Sequence, residues 1–163
     1  MKAAVYDRYG PPDVVQIADV DKPVPADNEV LIKVRAASVN PLDWHFMRGS
    51  PYILRLGAGL RKQKVTRLGV DVAGQVEAVG RNVTQFKPGN EVFGVCRGAL
   101  AEYVCAMEDK LALKPASSSL EDAAALPVAA ITALQGLRDK GRIQPGHKVL
   151  VDGESGGVGT FAV

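Results

Sequence analysis

Between Val149 and Val163 the chain reads VLVDGESGGVGTFAV, a glycine-rich turn set between an apolar run and a short segment of small apolar residues. That order predicts a strand at Val149 to Val151, a glycine turn and the start of a helix, which together open a βαβ unit. Glycine lets backbone approach a phosphate closely, and free N–H groups at a helix start attract negative charge, so the segment points to a pyrophosphate site. Gly153, Gly156, Gly157, Val158 and Gly159 are the candidate cofactor-binding residues. Such a site is shared between two βαβ halves, so the sequence predicts a nucleotide domain that is only begun by Val163. A P-loop fits poorly because no Lys follows the glycines, and a turn that merely joins strand to helix is the bland alternative.

Upstream of Pro115 the pattern is different. Val30, Ile32 and Val34 alternate with Leu31, Lys33 and Arg35 after a Pro23-Val24-Pro25 breaker, a period of two that predicts a strand. Further strands are predicted at Lys2 to Tyr6, Val14 to Val20, Val70 to Val79, Glu91 to Cys96 and Leu100 to Met107, with a turn at Lys87-Pro88-Gly89-Asn90. Many short strands with frequent Gly and Pro suggest a closed or strongly coiled barrel. After Pro115, Ser118 with Glu121 fits a helix-start capping box, and Val128 to Lys140 has helical spacing that ends at Gly141. The fold class is therefore mainly β with an α/β tail, divided into residues 1–122 and 123–163.

With 47% hydrophobic and 23% charged residues in 163, the chain has enough apolar surface for one full core and part of a second. No apolar run approaches the ~18 residues of a membrane span, and the N-terminus resembles neither a secretory nor a transit signal, so the expected location is the cytoplasm. Two cysteines, Cys96 and Cys105, exclude a multi-bridge scaffold and a four-thiolate zinc site, and both sit in strand-like apolar contexts where a free thiol acts as a small hydrophobe. The stretch from Trp44 to Val70 has six basic residues and no acidic one, leaving the remainder at −4. It reads as a solvated basic loop, with attraction of an anionic ligand as the alternative. No aromatic residue interleaves the basic ones between Arg55 and Arg67, which argues against nucleic acid.

Five motifs occur in order: SVNPLDWHFMRG (38–49), LGVDVAGQVEAVG (68–80), FKPGNEVFG (86–94), ALPVAAITALQGL (125–137) and KVLVDGESGGVGTFAV (148–163). Together they resemble the medium-chain dehydrogenase/reductase superfamily, in its zinc-free quinone oxidoreductase branch. The resemblance implies a GroES-like β-barrel catalytic domain lacking its C-terminal return strands, followed by the first strand and helix start of a truncated Rossmann domain. Zinc enzymes of the superfamily have a cysteine where Asn40 stands, a histidine where Val70 stands and a cysteine where Val128 stands. No tetrahedral set of zinc donors remains, so the chain is expected to be metal-free.

Without a metal to acidify an alcohol, the implied reaction is hydride transfer from NADPH to a conjugated acceptor, a quinone or an α,β-unsaturated carbonyl. NADH stays open, because the residues that separate the two cofactors lie beyond Val163. By the resemblance Asn40 is placed beside nicotinamide and substrate as a donor to the acceptor's carbonyl, Thr132 lies near the nicotinamide, and Tyr52 matches a substrate-cleft tyrosine across a one-residue gap around Pro51. The residue readings beside these are an Asn that holds the turn before Pro41 and a Thr bonded back to its own helix. Asp43 is expected to brace the same turn, and His45, where related reductases have a tyrosine, to be a satisfied or solvent-facing histidine. Glu154 stands where relatives have Gly or Ala, so its carboxylate is expected to weaken dinucleotide binding. The resemblance implies a homodimer and a small-molecule substrate, with an isolated chain of little or no activity. The alternative is a non-enzymatic GroES-like module that works by binding or assembly, its nucleotide site degenerate.

Overall fold

The structure, a computed structural model, describes residues 1–59 and 66–163. Strands β1 (Lys2–Val5) and β2 (Gln16–Asp19) form an antiparallel hairpin. Strands β3 (Glu29–Ser38), β4 (Asp71–Val79), β5 (Glu91–Val95), β6 (Tyr103–Met107) and β7 (Leu111–Leu113) form one antiparallel sheet in the order β6-β3-β4-β5-β7. Helices α1 (Pro41–Arg48) and α2 (Leu54–Ala58) lie between β3 and β4; α3 (Leu120–Ala125), α4 (Pro127–Leu134) and α5 (Gly157–Ala162) follow the sheet.

The alternation read from the sequence places the core. Val30 and Ile32 of β3, Val72 and Val76 of β4, Val92 of β5 and Val104 of β6 meet on one face around Phe86 and Ala99. Each such buried Val, Ile or Phe side chain contributes about 1.5–3 kcal/mol. The opposite face of β4 carries Ala73, which packs against Ala123 and Ala124 of α3. Small residues on both sides bring the helix close to the sheet. Gly74 is required for a related reason: a Cβ there would lie 2.3 Å from the Lys33 carbonyl oxygen.

The sheet coils but no closed barrel forms among the described residues. Two register shifts in the β3–β4 pair bend the ladder, as β-bulges do. The end strands β6 and β7 do not pair with each other, and the hairpin joins the body through isolated bridges, Ala3 to Ala101 and Val5 to Arg67, rather than a continuous ladder. Closure needs a ladder that runs unbroken around the ring.

Other expectations shift locally. Val14 belongs to a 3₁₀ turn, Pro12–Val14, and is buried with Tyr6, Met47 and Leu68, so the strand begins only at Gln16. The sequence predicts only a turn at Asn40-Pro41, whereas an eight-residue helix starts there, with Pro41 at a position whose missing N–H costs nothing. The helix cap is Ser119 with Asp122, one residue later than the predicted Ser118 and Glu121; both pairs fit the pattern, and the later start seats Leu120 against the alanine cluster. The long helix to Lys140 is α4 followed by a widened turn, Gln135–Lys140, where Gly141 N–H reaches the Gly136 carbonyl (2.8 Å); a glycine at 136 relaxes the backbone there.

Val149 to Val151 makes no strand. A parallel strand needs a neighbour, and none of the described residues supplies one. No helix among the described residues is long and apolar enough to cross a membrane.

Candidate functional site

Four segments converge on one buried carboxylate. Asp71 begins β4 and is 0% exposed. Its Oδ2 accepts from Ser38 Oγ (2.9 Å) at the end of β3 and from Asn40 Nδ2 (3.0 Å) at the start of α1. The N–H of Val128, in the first turn of α4, donates to Oδ1 (3.1 Å), with Oδ2 at 3.4 Å. Asn40 Nδ2 also donates to Ser38 Oγ (3.1 Å). Burial pushes the Asp71 carboxyl above its ordinary range, against the opposing pull of the Asn40, Ser38 and Val128 hydrogen bonds.

Asp43 braces the turn, as the sequence predicts. Its Oδ2 accepts from Asn40 N–H (2.8 Å) and its Oδ1 from Gly69 N–H (3.1 Å), tying α1 to the segment that leads into β4. Burial raises this carboxyl too, the hydrogen bonds from Asn40 and Gly69 oppose the shift, and the Asp71 charge adds to it.

Asn40 is buried at the centre of this network. Its amide nitrogen faces two acceptors, Asp71 Oδ2 and Ser38 Oγ, which lie on the same side of it. Thr132 lies exposed on α4, and its hydroxyl donates to the Val128 carbonyl (2.6 Å), the back-bonded geometry foreseen beside the cofactor reading. Tyr52 is 76% exposed in the turn before α2, with the Arg55 guanidinium 4.6 Å from its ring centre. The structure thus joins Asn40 and the base of Thr132's helix through Asp71, and among the described residues no hydrogen bond links Tyr52 to that network. His45 Nδ1 lies 2.6 Å from the Ser50 carbonyl oxygen; a carbonyl only accepts, so Nδ1 carries the proton.

Three of the six basic residues expected in one loop, Arg61, Lys62 and Lys64, lie outside the described residues. Arg55 is structural: it stacks on Tyr9 (4.3 Å) and Tyr52, and its Nε donates to the Gly49 carbonyl (2.9 Å). The cysteines are free. Burial raises the Cys96 thiol to about 12 and the Cys105 thiol to about 11, so neither is a thiolate near neutral pH.

The glycine turn is shaped for a close-lying group. Gly153 has φ +78°, and a Cβ added there would meet nothing within 4 Å; at Gly157 it would meet only Ala129 Cβ at 4.0 Å. At Gly159 a Cβ would fall 2.2 Å from the Gly153 carbonyl oxygen, so the turn folds back tightly on the helix start. The first N–H groups of α5, at Gly157 and Val158, have no carbonyl partner within their helix. An open cradle of backbone N–H groups fits a pyrophosphate. The positions that hold zinc in metal-binding relatives do not fit that metal. The Asn40 amide nitrogen faces a carboxylate, Val70 and Val128 offer hydrocarbon, and no group of three His, Cys, Asp or Glu among the described residues is placed to bind a metal.

The quinone oxidoreductase of Sus scrofa is 37% identical over 158 residues, covering 95% of this chain and 46% of that protein. The quinone oxidoreductase structure from Coxiella burnetii superposes with a TM-score of 0.88 at 36% identity, over 99% of this chain and 51% of the other. The Escherichia coli quinone oxidoreductase, solved with NADPH, gives a TM-score of 0.85 at 28% identity, over 99% of this chain and 48% of the other. This chain therefore spans about half the length of the relatives it matches. Residues 26–116 match the alcohol dehydrogenase GroES-like domain, and the chain belongs to that family, within the medium-chain dehydrogenase/reductase superfamily and among the homologues of its quinone oxidoreductases.

Proposed function

We propose that the chain supplies the substrate side and the opening of the cofactor site of a zinc-independent reductase that takes hydride from NADPH to a quinone or an α,β-unsaturated carbonyl. The observation that carries this reading is the Asp71 network: two of the three positions that match zinc ligands in the zinc enzymes of the superfamily, Asn40 and Val128, are tied here by hydrogen bonds to Asp71, with Ser38 beside them. A site without a Lewis acid favours an acceptor whose conjugation spreads the incoming charge. When bound, the reduced nicotinamide supplies the hydride.

The chain's own residues bind and orient. Gly153, Gly156, Gly157, Val158 and Gly159 present backbone to the pyrophosphate, supported by the open space above the turn. Thr132 belongs to the same helical layer, since α4 packs against α5 at Ala129 and Gly157. Asn40 fixes the inner wall of the cleft, and Tyr52, exposed at the next turn, has a hydroxyl to give a carbonyl oxygen. Residues 1–122 form the substrate side and 123–163 the start of the nucleotide side. The NADPH-bound Escherichia coli relative supports the choice of cofactor, with NADH the alternative. The reading extends to a cytoplasmic homodimer with little activity in the 163 residues alone.

The test is consumption of reduced nicotinamide with a para-quinone and with an enone, by the 163-residue chain and by the protein extended to the length of its relatives. Quinone- or enone-dependent oxidation by the longer form is the expected result. No oxidation by either form, together with a stable assembly that persists without cofactor, would favour a binding module instead.

A further inference from the structure

Asn40 is held by groups that leave no choice about which end of its amide faces inward. Asp71, acting as a carboxylate, can only accept. Ser38 has one hydroxyl hydrogen and directs it to Asp71 Oδ2 (2.9 Å), so toward Asn40 its oxygen also accepts. Both acceptors lie within 3.1 Å of the same amide nitrogen. A flipped amide would set its oxygen against two oxygens. Asp71 Oδ1 accepts the Val128 N–H, so the same carboxylate that sets the amide also pins the first turn of α4. The set is closed, with no buried side-chain polar atom left unpaired among the described residues.

We propose that Asp71 is the positioning residue of this site: by drawing the Asn40 amide nitrogen inward it turns Oδ1 away and makes Asn40 an acceptor, whose Oδ1 receives an N–H or O–H group of the bound ligand. This deepens the reductase reading and rests on it for its functional consequence, while the amide orientation stands by itself. The recognised chemistry is then a donor, such as a carboxamide N–H or a phenolic O–H. The carbonyl oxygen of an acceptor molecule must find its donor elsewhere.

The chain labelled with ¹⁵N at asparagine tests the orientation directly. Asn40→Asp identifies the Asn40 side-chain signals by removing them. In the unmodified chain those NH₂ hydrogens should exchange with water about tenfold or more slowly than the other asparagine side chains, because a hydrogen bond to an ionised group must first open. Asp71→Asn should abolish the difference. Exchange as fast as that of the other asparagines overturns the proposal, and this measurement on the unmodified chain stands even if a variant fails to fold.

A reciprocal exchange tests the consequence in the extended, active form. In Asn40→Asp with Asp71→Asn the hydrogen bonds can re-form with amide and carboxylate exchanged: the amide now at 71 donates to the carboxylate at 40 and to Ser38, whose hydroxyl turns to that carboxylate, and the amide oxygen at 71 still accepts the Val128 N–H. If Asn40 acts as an acceptor, each single change should lower kcat about tenfold or more and the double change should recover most of it, with quinone KM moved little. A double variant no better than the worse single variant means that Asn40 donates, and overturns the proposal. Absence of activity in the unmodified extended protein would instead count against the reductase reading, leaving the exchange measurement to decide the orientation.

Discussion

A single acidic residue in an apolar strand organises this site. In LGVDVAG the signal lies in the sequence, since an Asp among aliphatic residues of a strand needs partners, but those partners lie far from it along the chain. Asp71→Ala should cost about 2–4 kcal/mol, because it strands the Val128 N–H and the Asn40 amide in a buried place; chemical denaturation checks this. Asp43 and Asp71 both have carboxyls raised by burial, so the folded state holds protons that the unfolded chain has released. Their contribution is therefore full below the ordinary carboxylate value and is lost as pH rises through the raised folded values. Denaturation across that window should show stability falling with rising pH from these groups, and Asp43→Asn should flatten the slope. Glu154→Ala in the extended protein should tighten dinucleotide binding several-fold, measured by calorimetry, as a carboxylate is removed from beside the phosphates.

At the level of elements, the sequence carried most of what is found. The β3 alternation, the long β4 segment and the turn at Lys87 to Asn90 were legible because a half-buried strand writes a period of two into its residues. Helix α1 was hidden: Trp44 and His45 lower its propensity, and its start depends on Asp43 accepting the Asn40 N–H across a turn. The α3 cap was displaced by one residue because Ser118 and Ser119 compete for the same role. Ser119→Ala should destabilise by about 1 kcal/mol, read as a lower midpoint in thermal melts, while Ser118→Ala should have less effect. Gly74→Ala should cost about 1–3 kcal/mol, since the added carbon meets the Lys33 carbonyl and the two strands must part.

Across the whole molecule the two ends of the chain differ in how well they are satisfied. The sheet is held by a shared apolar face, whereas residues 148–151 belong to no strand or helix and Leu150 is 93% exposed. Hydrogen exchange should therefore be near the free rate at 148–151 and slower by orders of magnitude in β3 and β4. Uniform protection across both would contradict this packing. The sequence alone determined the family, the strand-rich first part and the glycine turn, because alternation and turn chemistry are local and need no partner to be written. Only tertiary structure decided that the sheet stays open, that Val149 to Val151 forms no strand, and that Asn40 is bound by Asp71. Each of these depends on what lies opposite in space, where pairing energies arise between residues far apart in the chain and no short stretch of sequence records the partner.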